Sequence, residues 1–551
     1  MTTSSRILAK LQSESTTRTI GFVIGAIAIV VIMRQLQFST DSICCGDYDG
    51  YYHVKWSRLL WESIKHKSFP PQFPWLPLTT LNAKDYVDHH LLFHIFQMPF
   101  VAFRDPRLGA KIGSVVFASL AMLSCYWLLI RYRVRYVLVW LIALLACSVP
   151  FLYRLNMAKA PPLAIIYLVI AIHLFFRRKS WPLMIVALLF TWTYDMFVLL
   201  IMAMVIWVVT IAWTERRFEW RPLVWVLLGC GAGMVINPYF PHNFQLLYEH
   251  VKIKLTLTEY TTKVGLEWYP YDSWEFLGNS ALSCIAMVVG YIAFDPAERK
   301  KAQHPLFFLL FSTALMLMTA RWKRIAEYWP PFAILFAGFS LQPWLAGART
   351  HLTRLPPDVL DELKPFFDRD ASWTKKITSD TRELMRTIAV VTVALALSIF
   401  LFFNLRGAMD DIERAKPHDY YRSGAVWMRA NIPRGEIIYN TNWDEFPRLF
   451  YFDETHYYVS GLDPTYLLDE HPDLARLSDR INLGQETDPG PLIRDRFGAR
   501  YVFSDNQHHD FFEHAQSSGW FDIVYEDKDC TIMYIRDEKR VENPLGEPGD
   551  E

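Results

Sequence analysis

Apolar stretches near membrane-spanning length recur from residue 20 to residue 405, and no other feature constrains the fold as tightly. They lie at roughly 20–35, 109–130, 136–153, 161–176, 181–194, 196–213, 222–237, 279–294, 305–320, 325–342 and 388–405. A bilayer core of about 30 Å is crossed by about 20 apolar residues in a helix. The pattern therefore predicts a polytopic α-helical membrane protein with about 11 transmembrane helices. Composition agrees: 52% of the 551 residues are hydrophobic and 20% are charged, where soluble domains carry about 25% charged. The 56 basic residues balance 56 acidic ones, which leaves no net positive charge to favour nucleic acid. Seven cysteines show neither a disulfide framework nor a zinc spacing.

Basic residues orient such a bundle. Arg6, Lys10 and Arg18 precede the first span. The links Arg131-Tyr-Arg133-Val-Arg135, Arg177-Arg178-Lys179, Glu215-Arg216-Arg217 and Glu298-Arg299-Lys300-Lys301 fall on that same side, as does the basic loop 345–387. The expectation is a cytoplasmic N-terminus, with loops 36–108 and 238–278 and the C-terminal region on the exterior. Residues 1–405 form the transmembrane domain in this reading, and 406–551 form an exterior α/β domain. Short β-like runs at 436–440, 457–459, 500–503 and 530–535 alternate there with helical stretches near 418–431 and 464–480.

The exterior loops hold the polar chemistry. Asp47 and Asp49, two apart and beside glycines, can converge in a turn on a metal ion or on a polarised acceptor. They can equally form a solvated loop leading into the amphipathic helix that begins at Val54. Asp88, His89 and His90 offer hard and borderline metal ligands, or they cap an interfacial helix that continues through His94. Arg321, Lys323 and Arg324 stand at an exterior helix end, as do Arg154 and Lys159, against the positive-inside trend. Such cations can hold the phosphate of a lipid-linked substrate or form ion pairs between spans, for example Arg324 with Glu327. Glu267 lies among aromatics near the end of the second long loop, and Tyr194-Asp195 reads as a turn.

From Asp49-Gly50-Tyr51 onward the sequence resembles the catalytic subunit of oligosaccharyltransferase, especially the bacterial single-subunit form. That family has the membrane-embedded C-type glycosyltransferase (GT-C) fold. Asp49 matches the catalytic, metal-binding aspartate of its first exterior loop. Arg154-Leu-Asn-Met157 resembles the family's Arg-x-x-Met, and Glu267 its essential long-loop glutamate. Arg324-Ile-Ala-Glu-Tyr328 resembles the Arg-Phe-x-x-Tyr run, and Asn442-Trp443-Asp444-Glu445-Phe446 the WWDYG segment. Two positions depart from the pattern. Lys159-Ala-Pro-Pro162 stands where the family carries a second acidic motif, and only the central Trp-Asp of WWDYG is kept.

The resemblance implies a lipid-bilayer enzyme that moves a sugar or oligosaccharide from a polyprenyl phosphate or pyrophosphate donor to an exterior protein acceptor. Asp49 and Glu267 would be catalytic. Arg324, Lys323, Arg321, Arg154 and Lys159 would bind the donor phosphate, and Trp443 and Asp444 the acceptor. A divalent Mn²⁺ or Mg²⁺ held by Asp49 with Asp47, Asp88, His89 or Glu267 is one option; Asp49 acting as a base alone is the other. Two further readings keep the fold: a glycan or lipid acceptor, or a non-catalytic relative that binds lipid-linked glycan.

Overall fold

The computed structural model describes residues 14–43, 48–255, 265–345 and 379–540. Asp47, Arg6, Lys10, the Cys44-Cys45 pair, most of the basic loop 345–387 and the polar end from residue 541 lie outside them. Each of the 11 apolar stretches is helical. Among the described residues six helices are long and apolar enough to cross a membrane: Arg18–Gln37, Pro106–Arg131, Asp195–Glu215, Ser273–Ala293, Gln303–Arg321 and Arg386–Glu413. A seventh span results if Val137–Leu145 and Val149–Leu155 are taken together, although they meet at 83°. Pro161–Phe176, Pro182–Thr193 and Arg221–Val235 are shorter apolar helices.

Local chemistry sets these boundaries. The Asp105 side chain accepts from the backbone N–H groups of Arg107 and Leu108 and so caps the Pro106–Arg131 helix, with proline in its first turn. At the bend, Ser148 caps Val149–Leu155 in the same way. Small residues then let helices approach closely. A Cβ added at Gly25 would fall 2.3 Å from the Tyr126 ring, and the Tyr126 hydroxyl donates to the Gly21 carbonyl at 2.9 Å.

The first long loop folds into the helices Asp49–Lys65 and Leu91–Val101. The former begins at Asp49 rather than at Val54, so Asp49 is helical and not in a turn. After the last long helix, a five-stranded mixed sheet has the order β2-β1-β3-β5-β4. Its strands are β1 (Ile437–Asn440), β2 (Tyr457–Tyr458), β3 (Ala499–Asp505), β4 (Phe521–Glu526) and β5 (Cys530–Ile535). Strands β2, β1 and β3 run parallel, and β5 is antiparallel to both β3 and β4. β4 was not evident from sequence: it is an edge strand whose Ile523 and Val524 are both exposed, so it lacks the alternation of a half-buried strand. The helical stretch near 464–480 is two helices, Thr465–Glu470 and Pro472–Asn482, parted at Pro472.

The packing joins distant segments. Tyr52, Trp56, Phe73 and Leu91 of the first loop share one buried apolar cluster with Ile438, Phe446, Phe450, Phe503 and Ile532 of the sheet region. The loop and the sheet therefore form a single wall over the helical bundle.

Candidate active site

That wall and the facing ends of the apolar helices line a cavity of about 570 Å³. Asp49 lines it from the first turn of its helix, where the peptide dipoles favour a negative charge. Its Oδ2 accepts from Lys159 Nζ at 2.9 Å. The lysine that replaces the family's second acidic motif is thus the partner of the expected catalytic aspartate.

Glu267 sits on the one-turn helix Leu266–Trp268 and is gripped by two arginines. Arg154 Nη2 donates to its Oε2 at 2.6 Å, and Arg324 Nη1 donates to its Oε1. Burial alone would raise this carboxyl, but Arg324, Arg154 and Lys159 outweigh burial and hold it well below the usual range. Arg154 also donates to Glu327, from Nε at 2.8 Å. The interspan pair is therefore Arg154–Glu327, not the Arg324–Glu327 pair that sequence proximity suggested. Arg324 turns instead to the Tyr194 hydroxyl at 2.5 Å and lies 5.0 Å from the Trp268 ring centre.

From the sheet side come Trp443 and Asp444, on a short turn held by a capping box between Asn442 and Glu445. An added Cβ at Gly265 would lie 4.0 Å from Trp443 Cη2, so the tryptophan abuts the loop that carries Glu267. Burial, then Asp505 and Asp49, push the Asp444 carboxyl up to about 6.

Not every expected residue reaches the cavity. Lys323 pairs with Glu275 at 2.7 Å and packs on Tyr271, while Arg321 lies over Trp322. Neither belongs to the lining. Asp88 is buried behind it, within hydrogen-bond distance of His94 and Trp56. His89 does line the cavity, its ring 4.0 Å from that of His90. The lining residues that went unnoticed as site residues include His53, Tyr194, Asp195 and His250, with His250 Nδ1 3.3 Å from Asp195 Oδ2. Of these, only His53 had a readable signal, lying four positions after Asp49 on one helix face.

The described residues do not make a metal site. No group of three His, Cys, Asp or Glu among them is arranged around a common point. Asp49 faces an ammonium, Glu267 faces two guanidiniums, and Asp88 is surrounded by donors.

No protein-family model matches the sequence, and no curated protein matches it. Solved structures do resemble the fold. The oligosaccharyltransferase of Archaeoglobus fulgidus in its apo form aligns with a TM-score of 0.59 at 12% identity, over 90% of this chain and 70% of that one. The same enzyme tethered to an acceptor peptide containing an Asn-Val-Thr sequon gives 0.56 at 11%, over 89% and 70%. ArnT from Cupriavidus metallidurans bound to undecaprenyl phosphate gives 0.54 at 13%, over 93% and 98%. The chain has the GT-C membrane glycosyltransferase fold.

Proposed function

We propose that the protein is an integral membrane glycosyltransferase that moves a sugar or oligosaccharide from a polyprenyl phosphate or pyrophosphate to an exterior acceptor. The observation that carries this reading is the convergence in one cavity of Asp49–Lys159, the Arg324–Glu267 pair and the Trp443–Asp444 turn, with Arg154 gripping Glu267 from behind the lining. Arg324 and Arg154 are the phosphate ligands: a guanidinium presents a planar fork to phosphate oxygens and can exchange Glu267 for them. Asp49 hydrogen-bonds the acceptor group that displaces phosphate at the anomeric carbon, and Lys159 supplies the positive charge beside it. No step in this scheme passes through a metal. Undecaprenyl phosphate in one solved neighbour and an acceptor peptide in another support a lipid-linked donor and an exterior acceptor.

The topology belongs to the same proposal: a cytoplasmic N-terminus, about 11 spans and an exterior domain from residue 406, following the basic links. A cysteine placed at Asp510 should react with an impermeant maleimide in sealed right-side-out vesicles, and labelling only after permeabilisation would refute that orientation. For the activity, purified protein is incubated with undecaprenyl-linked sugars and candidate acceptors, and products are identified by mass spectrometry. A sequon peptide is the first acceptor to try. A glycan acceptor is the second reading, favoured by a further cavity of about 730 Å³ that shares Trp443 and is lined by Asn442, Arg476, Asn482, Gln485 and Gln507. Amides and an aromatic face are groups that read hydroxyl-rich ligands. Absence of transfer to every acceptor, with retained donor binding, would leave the non-catalytic reading.

A further inference from the structure

The proposed transfer needs somewhere to put the proton that the acceptor loses. His53 lies one helical turn beyond Asp49 and lines the same cavity. Its Nδ1 is 2.7 Å from His94 Nε2, and His94 Nδ1 is 2.8 Å from Asp88 Oδ2. All three residues are buried, at 4%, 0% and 2% exposure for His53, His94 and Asp88. The chain of contacts joins two helices of the first loop and ends behind the cavity lining.

Hydrogen-bond inventory fixes the protons along it. Asp88 accepts from the indole N–H of Trp56 at 2.9 Å and from the backbone N–H of His90 at 3.0 Å. Both groups can only donate. An aspartate ringed by donors accepts from His94 too, which places a proton on His94 Nδ1; in the Nδ1–H tautomer its Nε2 carries a lone pair. His53 must then donate from its own Nδ1, so its Nε2 also carries a lone pair. Among the described residues that Nε2 makes no protein hydrogen bond, although the residue borders the cavity. Burial, then His94, Lys159, His89 and Arg324, hold the ring well below the ordinary imidazole value, so it stands neutral before the transfer.

We propose that His53 is the proton acceptor of the transfer, with His94 and Asp88 as positioning residues behind it. The inference rests on the transferase reading above. The acceptor's oxygen or nitrogen forms a bond to the anomeric carbon with its lone pair. The bond from that carbon to the phosphate oxygen breaks, and its electron pair leaves with the lipid phosphate. The acceptor's proton goes to His53 Nε2 and from there to the departing phosphate, which restores the neutral ring. Asp88 stabilises the transient imidazolium through His94, as a buried carboxylate does behind a catalytic histidine.

The test uses the full-length protein with undecaprenyl phosphate- and pyrophosphate-linked monosaccharides, an Asn-Val-Thr peptide and a free disaccharide. His53→Gln and Asp88→Asn should each lower kcat by about 10²-fold or more while the donor KM stays within about threefold of wild type. Added imidazoles should restore turnover to His53→Ala, faster with the more basic members of the series. Wild-type rates in His53→Gln would overturn the assignment and leave the transferase reading standing. A kcat loss matched by an equal loss of donor affinity, or a folded His53→Ala deaf to imidazole, would overturn it as well and make His53 a packing residue. If His53→Ala does not fold, the kcat and KM of the other two variants decide. No transfer by the wild type with any pair would overturn both readings together.

Discussion

On the helix side of the cavity, Asp49, Glu267 and Glu327 each pair with a lysine or an arginine, whereas on the sheet side Asp444, Glu445 and Asp505 crowd one another. Glu445 is fully buried and accepts from the backbone N–H groups of Asn442 and Asp505. Asp505 accepts from the Tyr420 hydroxyl at 2.6 Å and from that of Tyr421. Among the described residues no lysine or arginine forms a salt bridge to these three, and the one basic side chain within ion-pair distance is His508, 3.6 Å from Glu445. The carboxyls respond in opposite directions. Glu267 is held low by its arginines, while burial and like charge drive Asp444 up to about 6 and Glu445 well above the carboxylate range. A wall rich in cations suits an anionic phosphate. A weakly ionised carboxyl such as Asp444, the one of the three that lines the cavity, suits hydroxyls and amides, which it can hydrogen-bond without a large desolvation cost.

The contrast can be broken at several points. The largest effect is expected from Asp49→Asn, which keeps shape but removes the charge facing Lys159. Turnover should fall by about 10²-fold or more, and near-normal turnover by a folded variant would dissolve the central assignment. Arg324→Ala should weaken donor binding by about tenfold or more, because charge-assisted bonds to phosphate are lost. Arg324→Lys should lose less, since an ammonium keeps the charge without the fork. Equal donor affinity in all three proteins would make the arginine a structural partner of Glu267.

Asp444 sharpens the other side. Its carboxyl rises from 3.8 to about 6 in the folded protein, so the native state binds a proton over that interval that the unfolded chain has released. The group therefore weakens the fold as pH rises through this window. The Tm of Asp444→Asn, which has nothing to titrate there, should fall less than that of wild type between about pH 4 and pH 6. Identical slopes would place Asp444 in solvent-like surroundings. The smallest effect is expected from EDTA. With the Lys159 ammonium paired to Asp49, wild-type transfer should continue in the chelator, and loss of activity restored by Mn²⁺ or Mg²⁺ would bring Asp47, which lies outside the described residues, into the site.

Helical class and approximate helix positions were legible in the sequence, because apolar length and spacing are properties of a contiguous stretch. Asp49, Arg154, Glu267 and Arg324 could be singled out because each lies in a short motif of unusual composition for a membrane surface, whereas Trp443 and Asp444 came only from the family resemblance. Which of them meet was not legible. Arg154 finds Glu327 across 173 positions, and His53 finds His94 across 41. Lys323 and Arg321 belong to the same run as Arg324, yet the turn of the Lys323–Glu327 helix sends them elsewhere.

By itself, then, the sequence determined that this chain is a bundle of apolar helices with polar, aromatic exterior segments and a mixed α/β region after them. Tertiary structure alone decided that a lysine faces Asp49, that two arginines share Glu267, and that three buried side chains form a hydrogen-bonded line to the cavity. The physical reason is range. Hydrophobic patterning acts along the chain, where spacing records it, while a charge or a ring nitrogen is satisfied only by a partner within about 3 Å. Which partner that is depends on how the first loop packs against the sheet.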